Sequence, residues 1–370
     1  MKVNRKFFFN PTIDYLLIFS VALILIIGIL FLYSTSPQRA FTLKGNFALR
    51  QGLWMILAIS IFLGLLSIPF KRFYDMAYVL YGLNLLLLVL VLLLGHATRL
   101  GAQRWLDIGP IVFQPSELMK ITFILTVARF LSEKDLTEGV EGTFGAAFLL
   151  AFIPAFLILK EPHLGTALIL FPILFGMLYV GGLRRDYFAW LFFIPLIASP
   201  IGWFVLKEYQ KQRLLVFANP NIDPLGAGYT VIQSRISLGS GWFFGKGLFR
   251  GTQNRLNFLP ERHTDFIFSV IGEEWGFLGS AALVLLYFFL MKRGLAIARR
   301  ARGRFACLVA TGLTTMLAVH TFVNIAMTMG FLPVVGLPLP FVSYGGSWLT
   351  TCLIAIALLL SIEREGEEEP

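Results

Sequence analysis

Charged residues are scarce in this 370-residue chain, at 14% of the total, whereas hydrophobic residues make up 57%. A composition so poor in charge excludes an ordinary soluble domain. Apolar runs of about 17–25 residues, the length that crosses a bilayer as a helix, recur along the whole chain. The chain is therefore predicted to be an all-α integral membrane protein.

Ten membrane-spanning helices are predicted from these runs, with nine as an alternative because the fourth and fifth are short or polar at one end. No repeat of fixed period and no low-complexity linker divides the chain, so residues 1–370 are predicted to form a single polytopic membrane domain. The predicted spans are roughly Ile13–Tyr33, Gly52–Ile68, Met76–Gly95, Glu117–Leu131, Phe144–Leu159, Leu164–Val180, Phe188–Leu206, Phe266–Met291, Phe305–Met329 and Phe341–Ile362.

Cysteine is nearly absent, which argues against a disulfide framework. The two cysteines, Cys307 and Cys352, both fall inside predicted spans. A cleavable signal peptide is not expected either. The first span is about 20 residues long, which exceeds the apolar core of a usual signal peptide, and no small-x-small cleavage site follows it.

The distribution of Lys and Arg predicts that both termini are cytoplasmic. With the N-terminus inside, the short internal segments hold many more of these residues than the short external segments. This orientation places one long loop, Lys207–Thr264, outside the membrane between the seventh and eighth spans. It also places the C-terminal tail, about residues 363–370, in the cytoplasm, where its glutamates predict a disordered, solvated segment.

The long loop is rich in positive charge, which predicts an anionic ligand at the outer surface. Contact with anionic lipid headgroups is the alternative interpretation. The basic residues of the long loop are Lys207, Lys211, Arg213, Arg235, Lys246, Arg250, Arg255 and Arg262, against only Glu208, Asp223 and Glu261.

Within the long loop, the segment Gly239–Gly247 (GSGWFFGKG) resembles a nucleotide-binding loop but lacks its spacing. Such a loop needs Gly where Ser240 stands, and Ser or Thr after Lys246, where this chain has Gly247. Backbone N–H groups of a Gly-rich turn can still cradle a phosphate. A plain flexible turn is the other interpretation.

The most polar stretch at a predicted membrane boundary is Leu259–Phe268. A charge held there is costly unless it is solvated or paired, so it usually serves a task. Thr264 is predicted to cap the eighth span, with Asp265 in the first turn. The helix dipole and Arg262 favour the carboxylate while burial favours the neutral acid, so Asp265 could accept a proton from a sugar hydroxyl at neutral pH. The alternative is a structural cap paired with Arg262.

A second candidate pair follows the loop His96–Ser116. Pro then Ser before an apolar run predicts a helix start with Ser116 as the N-cap and Glu117 in the first turn. Lys120 follows at i+3, close enough to pair with Glu117. The pair is either a boundary salt bridge that fixes the depth of the helix or a polar anchor that reaches into a cavity.

Metal ligands are scarce, since the chain has four histidines. Glu261, His263 and Asp265 lie at i, i+2 and i+4, a spacing that does not converge on a helix, so a tight zinc site is not expected. A loosely held divalent cation that bridges a pyrophosphate is an open alternative. Arg50, at the outer start of the second span, is either a ligand contact or an interfacial anchor.

A third external stretch, Gly330–Ser347 (the Gly/Pro segment), combines several glycines and prolines with an apolar composition. This composition predicts an irregular segment rather than a helix. Irregular backbone at membrane depth survives only when it is buried in protein or lines a cavity.

Five stretches in chain order together resemble the SEDS (shape, elongation, division and sporulation) family of bacterial cell-wall glycosyltransferases, and its elongation-type members more than its division-type members. One departure is His163, where the family commonly has Asp in a PDLGT motif, so an acid at that position is not indispensable. The stretches are GAQRWLDIGPIVFQPSELMK (Gly101–Lys120), EPHLGTAL (Glu161–Leu168), YQKQRLLVFANPNIDPLGAGYTVIQS (Tyr209–Ser234), GSGWFFGKGLFRGTQNRLNFLPERHTDFIFSVIGEEWGFLG (Gly239–Gly279) and NIAMTMGFLPVVGLPLPFVSYGGS (Asn324–Ser347).

The resemblance implies an enzyme that polymerises lipid II into β-1,4 glycan strands, with inversion, at the outer face of the bacterial cytoplasmic (inner) membrane during cell elongation. It implies that Asp265 is the general base, and that Glu117 and Lys120 line the same central cavity. Substrate contacts are predicted for Arg50, Arg104, Gln114, Ser116, Arg213, Arg235, Lys246, Arg262, His263, Thr264 and Ser343.

The implied partners are lipid II, undecaprenyl pyrophosphate, a class B penicillin-binding transpeptidase and other elongation-complex proteins, with no nucleic acid. The pyrophosphate leaves as an anion, so its charge needs a divalent cation, Mg²⁺ or Mn²⁺, or Arg and Lys side chains. No organic cofactor is expected. A division-specific polymerase, a scaffold and a lipid II flippase are the alternatives. A flippase should expose ionisable residues to both sides, whereas these candidates cluster at the external ends.

Overall fold

Within the residues that the structure describes, long helices dominate and correspond to nine of the ten predicted spans. The computed structural model describes residues 14–36, 46–94, 96–97, 103–108, 111–134, 140–183, 204, 208–226 and 228–368. The helices are α1 (Tyr15–Thr35), α2 (Phe47–Leu66), α3 (Lys71–Leu94), α4 (Pro115–Ser132), α5 (Val140–Lys160), α6 (Leu164–Val180), α7 (Glu208–Ala218), α8 (Tyr229–Ser240), α9 (Thr252–Arg255), α10 (Ile267–Arg300), α11 (Arg304–Met329) and α12 (Gly346–Glu368).

Seven of these helices, namely α1, α2, α3, α5, α10, α11 and α12, are long and apolar enough to cross a membrane. The sixth predicted span matches α6, which has 17 residues, and the fourth matches α4, which carries Glu117 and Lys120. The helical, multi-pass membrane architecture is confirmed. The seventh predicted span, Phe188–Leu206, lies outside the described residues, so the count of ten and the single-domain assignment stay predictions.

The interior of the bundle is built from α4, α6, α11 and α12. Helix α11 packs against α4, α6 and α10, and α12 packs against α2 and α4. The apolar window of α12 is 78% buried within the protein, whereas that of α2 is only 17% buried and presents most of its side chains to the surroundings. The polar side chains of α4 and α11 need protein partners at membrane depth, which an interior position provides.

A small antiparallel sheet lies before α4, in a loop for which no strand was predicted. Its strands are β1 (His96–Ala97), β2 (Gln103–Ile108) and β3 (Ile111–Phe113), in the order β1-β2-β3. The last strand of the sheet leads directly into α4, which begins at Pro115 with Gln114 at the N-cap position. The prediction of Ser116 as the N-cap is wrong, because Pro115 already occupies the first helical position, where its missing N–H costs nothing.

Helix α10 is broken near its start. Gly276 has φ 65° and ψ −160°, which no residue with a side chain adopts without strain. The backbone groups that the break leaves open are bonded by the Gly-rich segment of the long loop: Phe277 N donates to Trp242 O (2.8 Å) and Lys246 N donates to Glu273 O (3.0 Å). The N–H groups of this segment therefore serve the broken helix rather than a phosphate.

We expect Gly276→Ala to lower the free energy of unfolding by about 1–3 kcal/mol, since alanine is strained at this φ and ψ and its Cβ would meet the backbone of Gly245. Gly239→Ala is the matched control, because Gly239 is helical and its Cβ would meet nothing within 4 Å. The melting temperatures of the two variants should shift in opposite directions relative to the wild type, or at least differ clearly from each other. Equal melting temperatures would contradict the assigned break.

The acidic C-terminal tail is helical as far as it is described, so the prediction of a disordered, solvated segment is wrong there. Helix α12 continues to Glu368. Glu363 accepts a hydrogen bond from the N–H of Asp14 (2.9 Å), and Glu365 accepts one from the N–H of Phe70. These carboxylates hold the tail against the starts of α1 and α3, which a composition-based prediction cannot anticipate.

Candidate active site

Asp265 lies immediately before α10, in a turn in which its N–H donates to Glu261 O (3.1 Å). Helix α10 begins at Ile267 with no side-chain cap, so the predicted cap at Thr264 is wrong. The Arg262 guanidinium points to Thr35 O (3.4 Å). Among the described residues, no hydrogen bond or ion pair engages the Asp265 carboxylate, which argues against a structural cap paired with Arg262.

The backbone around Asp265 is fixed by hydrogen bonds from α11 and the Gly/Pro segment. The carbonyls of residues 263, 264 and 265 each accept one bond. The respective donors are Tyr344 N (2.8 Å), Ser343 Oγ (2.5 Å) and Asn324 Nδ2 (2.9 Å). Three successive anchored carbonyls hold the carboxylate-bearing turn in one conformation, as an acid–base residue requires.

Asn324 is a functional candidate that the sequence reasoning missed. Its amide is fully buried in α11 and donates to Leu337 O (2.7 Å) as well as to Asp265 O. One side chain thus joins the Asp265 turn to the Gly/Pro segment. The signal was present in the sequence as a lone amide inside an apolar span, which is costly unless it is hydrogen-bonded.

We expect Asn324→Leu to lower the free energy of unfolding by about 1–3 kcal/mol, because it leaves the carbonyls of Asp265 and Leu337 without a donor. Thr321→Val on the same helix is the control, since the hydrogen bond that the structure describes for the Thr321 hydroxyl stays within its own helix, at Leu317 O (2.9 Å). Denaturation of the two variants in the same detergent compares their free energies of unfolding. An Asn324→Leu protein as stable as the Thr321→Val protein would contradict the anchoring role.

The Asp265 carboxylate is confined but keeps partial exposure. A Cβ atom placed on Gly336, whose φ is +71°, would lie 3.4 Å from its Oδ2. The pKa of Asp265 is raised to about 7, mainly by burial and also by Glu261, while Arg213 and Arg104 oppose the shift. A carboxylic acid with this pKa is present in both forms near neutral pH, as a general base requires.

His163, the residue that departs from the family motif, also neighbours Gly336, whose backbone hydrogen-bonds to it. Its ring is buried against Gln114 Nε2 (3.3 Å) and Thr166 Oγ1 (3.0 Å). Burial, followed by Arg104, lowers the pKa of His163 to about 3, so the imidazole is neutral. This position contributes hydrogen bonds rather than charge.

Arg104 lies beside a buried acid that the sequence reasoning also missed. Its guanidinium donates to the carbonyls of Glu161 (3.0 Å) and Pro162. Both carboxylate oxygens of Glu161 are buried, and no hydrogen-bond partner for them lies among the described residues. Burial raises the pKa of Glu161 to about 8, with Arg104 opposing that shift, so the acid is mostly neutral at pH 7.

The predicted pairing of Glu117 and Lys120 is present, with Lys120 Nζ 2.8 Å from Glu117 Oε2. Lys120 Nζ also lies 3.0 Å from Nε2 of His320 and 4.0 Å from the ring centroid of Trp348. Glu117, Lys120 and His320 are almost completely buried. The pair is therefore a sealed polar anchor beneath the site rather than a group exposed in an open cavity.

Several predicted substrate contacts hold the protein together. Arg213 donates to Val334 O (3.0 Å) and Arg235 donates to Gly330 O (3.0 Å), so both basic residues bind the Gly/Pro segment. Lys246 pairs with the buried Glu273 (2.7 Å), which lies at the break in α10. Arg213 remains close enough to Asp265 to lower its pKa, whereas Lys246 belongs to a different cluster.

The remaining predicted contacts border the Asp265 turn or α4. The Arg50 guanidinium lies over the Tyr344 ring (5.8 Å), and His263 stacks on Phe47 with ring centroids 3.9 Å apart. The Ser116 hydroxyl is buried, with no partner among the described residues.

The described part of the chain contains no suitable ligand set for a resident metal ion. No group of three His, Cys, Asp or Glu side chains converges there. His263 is 3.9 Å from Glu261, and its ring face is covered by Phe47. The divalent cation therefore stays a prediction, and no chemical step is assigned to it.

Fold and site together define a polytopic membrane protein with a partly exposed, turn-anchored carboxylate at one end of a membrane-spanning helix. Residues 14–368 match the FTSW_RODA_SPOVE family, described as cell cycle protein, and the chain belongs to that family. The resemblance seen in the sequence is thus confirmed.

Two curated relatives and one solved structure illustrate the similarity. Peptidoglycan glycosyltransferase MrdB of Escherichia coli K12 is 39% identical over 97% of this chain and 96% of its own length. A probable peptidoglycan glycosyltransferase FtsW of Idiomarina loihiensis is 37% identical over 96% of this chain and 88% of its own length. A chain from a peptidoglycan synthase complex in which polymerization and crosslinking are coordinated superimposes with a TM-score of 0.83, at 32% identity, over 96% of this chain and 99% of that chain.

Proposed function

We propose that this protein is a peptidoglycan glycosyltransferase of the elongation type, which polymerises lipid II at the outer face of the bacterial cytoplasmic membrane. The full-length similarity to MrdB supports the reaction class. The observation that carries the proposal is the Asp265 carboxylate, which is partly exposed, without a protein partner among the described residues, and has a pKa raised to about 7. The alternative is a division-specific polymerase. Depletion of the protein in cells separates the two: a failure of elongation supports the proposal, and a failure of division supports the alternative.

The proposed reaction needs one base. The 4-hydroxyl of an acceptor N-acetylglucosamine attacks C1 of the donor N-acetylmuramic acid, and its proton passes to Asp265. The bond from C1 to the pyrophosphate oxygen breaks as the new glycosidic bond forms, with inversion at C1. Undecaprenyl pyrophosphate leaves as an anion and needs no proton, unlike the leaving group of a glycoside hydrolase, which needs a second carboxyl group.

Two arginines are placed to offset negative charge at the site. Arg104 and Arg213 both act electrostatically on Asp265. Each has its guanidinium fixed by a backbone carbonyl, Arg104 at Glu161 and Arg213 at Val334. Pre-oriented cations of this kind stabilise developing charge without reorganising during the reaction. We therefore propose that Arg104 and Arg213 stabilise the leaving pyrophosphate. Lys246 is less suited to this role because it pairs with Glu273.

Strand formation should rise with pH through about pH 7, because only ionised Asp265 accepts a proton and burial raises its pKa to that value. An aspartate with an ordinary pKa would already be ionised at about pH 6 and give a flat profile. Glu261→Gln should move the rise to lower pH, since Glu261 also raises the pKa of Asp265. Initial rates of strand formation across this range provide the measurement, and a pH-independent rate would contradict the assignment.

The experiment that tests the function is a polymerisation assay with purified protein and lipid II, with and without a class B penicillin-binding transpeptidase and with and without Mg²⁺ or Mn²⁺. Glycan strands are the expected product. Transbilayer movement of lipid II in proteoliposomes without strands would favour the flippase instead. The transpeptidase is proposed as a partner because the similar chain belongs to a complex that coordinates polymerization and crosslinking.

A further inference from the structure

Three aromatic residues of the long loop, Trp242, Phe243 and Phe244, form an exposed cluster that the proposed reaction does not use. We call this cluster the aromatic tip. Its exposed fractions are 85%, 51% and 77%. Large apolar side chains that are contiguous and this exposed mark a surface that another apolar phase covers.

The aromatic tip is fixed to the membrane-spanning helix α10. Phe277 N donates to Trp242 O (2.8 Å) and Leu278 N donates to Phe243 O (3.1 Å). The rings of Phe243 and Phe277 also stack, with centroids 5.8 Å apart and planes 24° apart. The tip therefore lies at the level of residues 277 and 278 along α10 and cannot move away without opening the break.

That level can be located from the pairing of α1 with α10. Asp14 pairs with Arg293 at one end, and Phe31 packs edge-on against Trp275 at the other, with ring centroids 4.9 Å apart. A rise of about 1.5 Å per residue gives about 24 Å along α10 from Arg293 to Phe277. The hydrocarbon core of a bilayer is about 30 Å thick, so Phe277 lies near the edge of the core opposite to Arg293.

The exposed face of α10 continues into the aromatic tip. Phe277, Leu285 and Phe288 are exposed by 63%, 66% and 67% and, in a membrane-spanning helix, face lipid. The tip extends this lipid-facing stripe at its outer end, where Trp and other amphipathic aromatics concentrate in membrane proteins. The exposed charged residues between positions 241 and 258 are two cations, Arg250 and Arg255, which suits the anionic headgroups of lipids.

We propose that the aromatic tip is a membrane-interface anchor: Trp242, Phe243 and Phe244 insert into the outer interface of the bilayer and hold the long loop, which leads to Asp265, against the membrane surface. This inference concerns the lipid contact of the loop and does not depend on the reaction. A protein surface, either a second copy of this chain or another membrane protein, is the competing occupant.

Fluorine NMR of 5-fluorotryptophan-labelled protein tests the anchor in nanodiscs of phosphatidylethanolamine and phosphatidylglycerol. The chain has seven tryptophans, and Trp242→Phe identifies the Trp242 resonance by its disappearance. A spin-labelled lipid with its nitroxide near the headgroup should abolish the Trp242 resonance, while a water-soluble gadolinium chelate should leave it in place. Trp348 is 3% exposed and should survive both reagents.

Loss of the Trp242 resonance with the chelate but not with the spin-labelled lipid would overturn the proposal, because the tip would then face water. Survival with both reagents would also overturn it and indicate a covering protein. Phe244→Trp provides a second test that is available even if the Trp242→Phe protein fails to fold. It adds a new resonance whose loss with the spin-labelled lipid supports the anchor and whose survival contradicts it.

Discussion

Asp265→Asn is expected to abolish strand formation while the protein keeps its fold. The amide has nearly the size of the carboxylate but accepts no proton, and removal of a general base typically costs about a factor of 10²–10⁴ in rate. Because no described hydrogen bond engages the carboxylate, the substitution should leave the melting temperature near that of the wild type. Strand formation from lipid II, measured beside thermal unfolding, separates the two effects.

Glu208→Gln is the matched control for this variant. Glu208 also belongs to the long loop, but its side chain is 84% exposed and, within the described part of the chain, pairs with Lys211 alone, at the start of α7. Its replacement should change neither the rate nor the stability. If the Asp265→Asn protein formed strands as fast as the Glu208→Gln protein, the assignment of the base would be wrong.

Lys120→Met is expected to destabilise the protein by about 3–5 kcal/mol, since it leaves Glu117 buried without its counter-charge. The methionine fills most of the volume of the lysine, so the loss is electrostatic rather than a cavity effect. The double variant Glu117→Gln with Lys120→Met should regain part of the loss, because the remaining amide carries no charge. Chemical denaturation of both variants measures the difference.

Lys211→Met serves as the control, because Lys211 forms the same i, i+3 pair with an exposed partner, Glu208, at 2.9 Å. Exposed pairs contribute about 0–1 kcal/mol, so this variant should lose little stability. Equal losses for Lys120→Met and Lys211→Met would show that the buried position of the first pair carries no special cost. That outcome would contradict the description of Glu117 and Lys120 as a sealed anchor.

The spans were predictable because an apolar run of sufficient length specifies a membrane helix by itself. The bounds Leu164–Val180 were predicted as the structure has them. Helix caps were not predictable in the same way. Ser116 and Thr264 both precede apolar runs and fit the local rule for an N-cap, but α4 already begins at Pro115, two residues before the predicted start, and Thr264 bonds Glu261 in the turn that precedes α10.

The break in α10 illustrates information that only tertiary structure supplies. Gly276 is one of many glycines in apolar helices, and nothing in its neighbours distinguishes it. Its unusual backbone conformation is stabilised by a segment about 30 residues earlier in the chain, which bonds the open groups of the helix. A sequence motif that resembled a phosphate-binding loop is explained by this contact.

The candidate site was predicted in part. Asp265 could be singled out because an acid at a membrane boundary is costly. Its anchors could not be paired with it, since Asn324 lies 59 positions from Asp265 and Ser343 lies 79 positions from Thr264, whose carbonyl it bonds. The same holds for the basic residues. Charge alone suggested that Arg235 binds a ligand, whereas its guanidinium donates to Gly330 O.

In the proposed reaction, a lipid-linked sugar reaches the Asp265 carboxylate from outside the membrane. Asp265→Cys, in a protein with Cys307→Ser and Cys352→Ala, allows labelling with a membrane-impermeant maleimide in right-side-out and inside-out vesicles. We expect labelling from the outer side only, and protection when lipid II is added. Labelling from the cytoplasmic side, or a thiol that reacts only after denaturation, would contradict the proposed reaction.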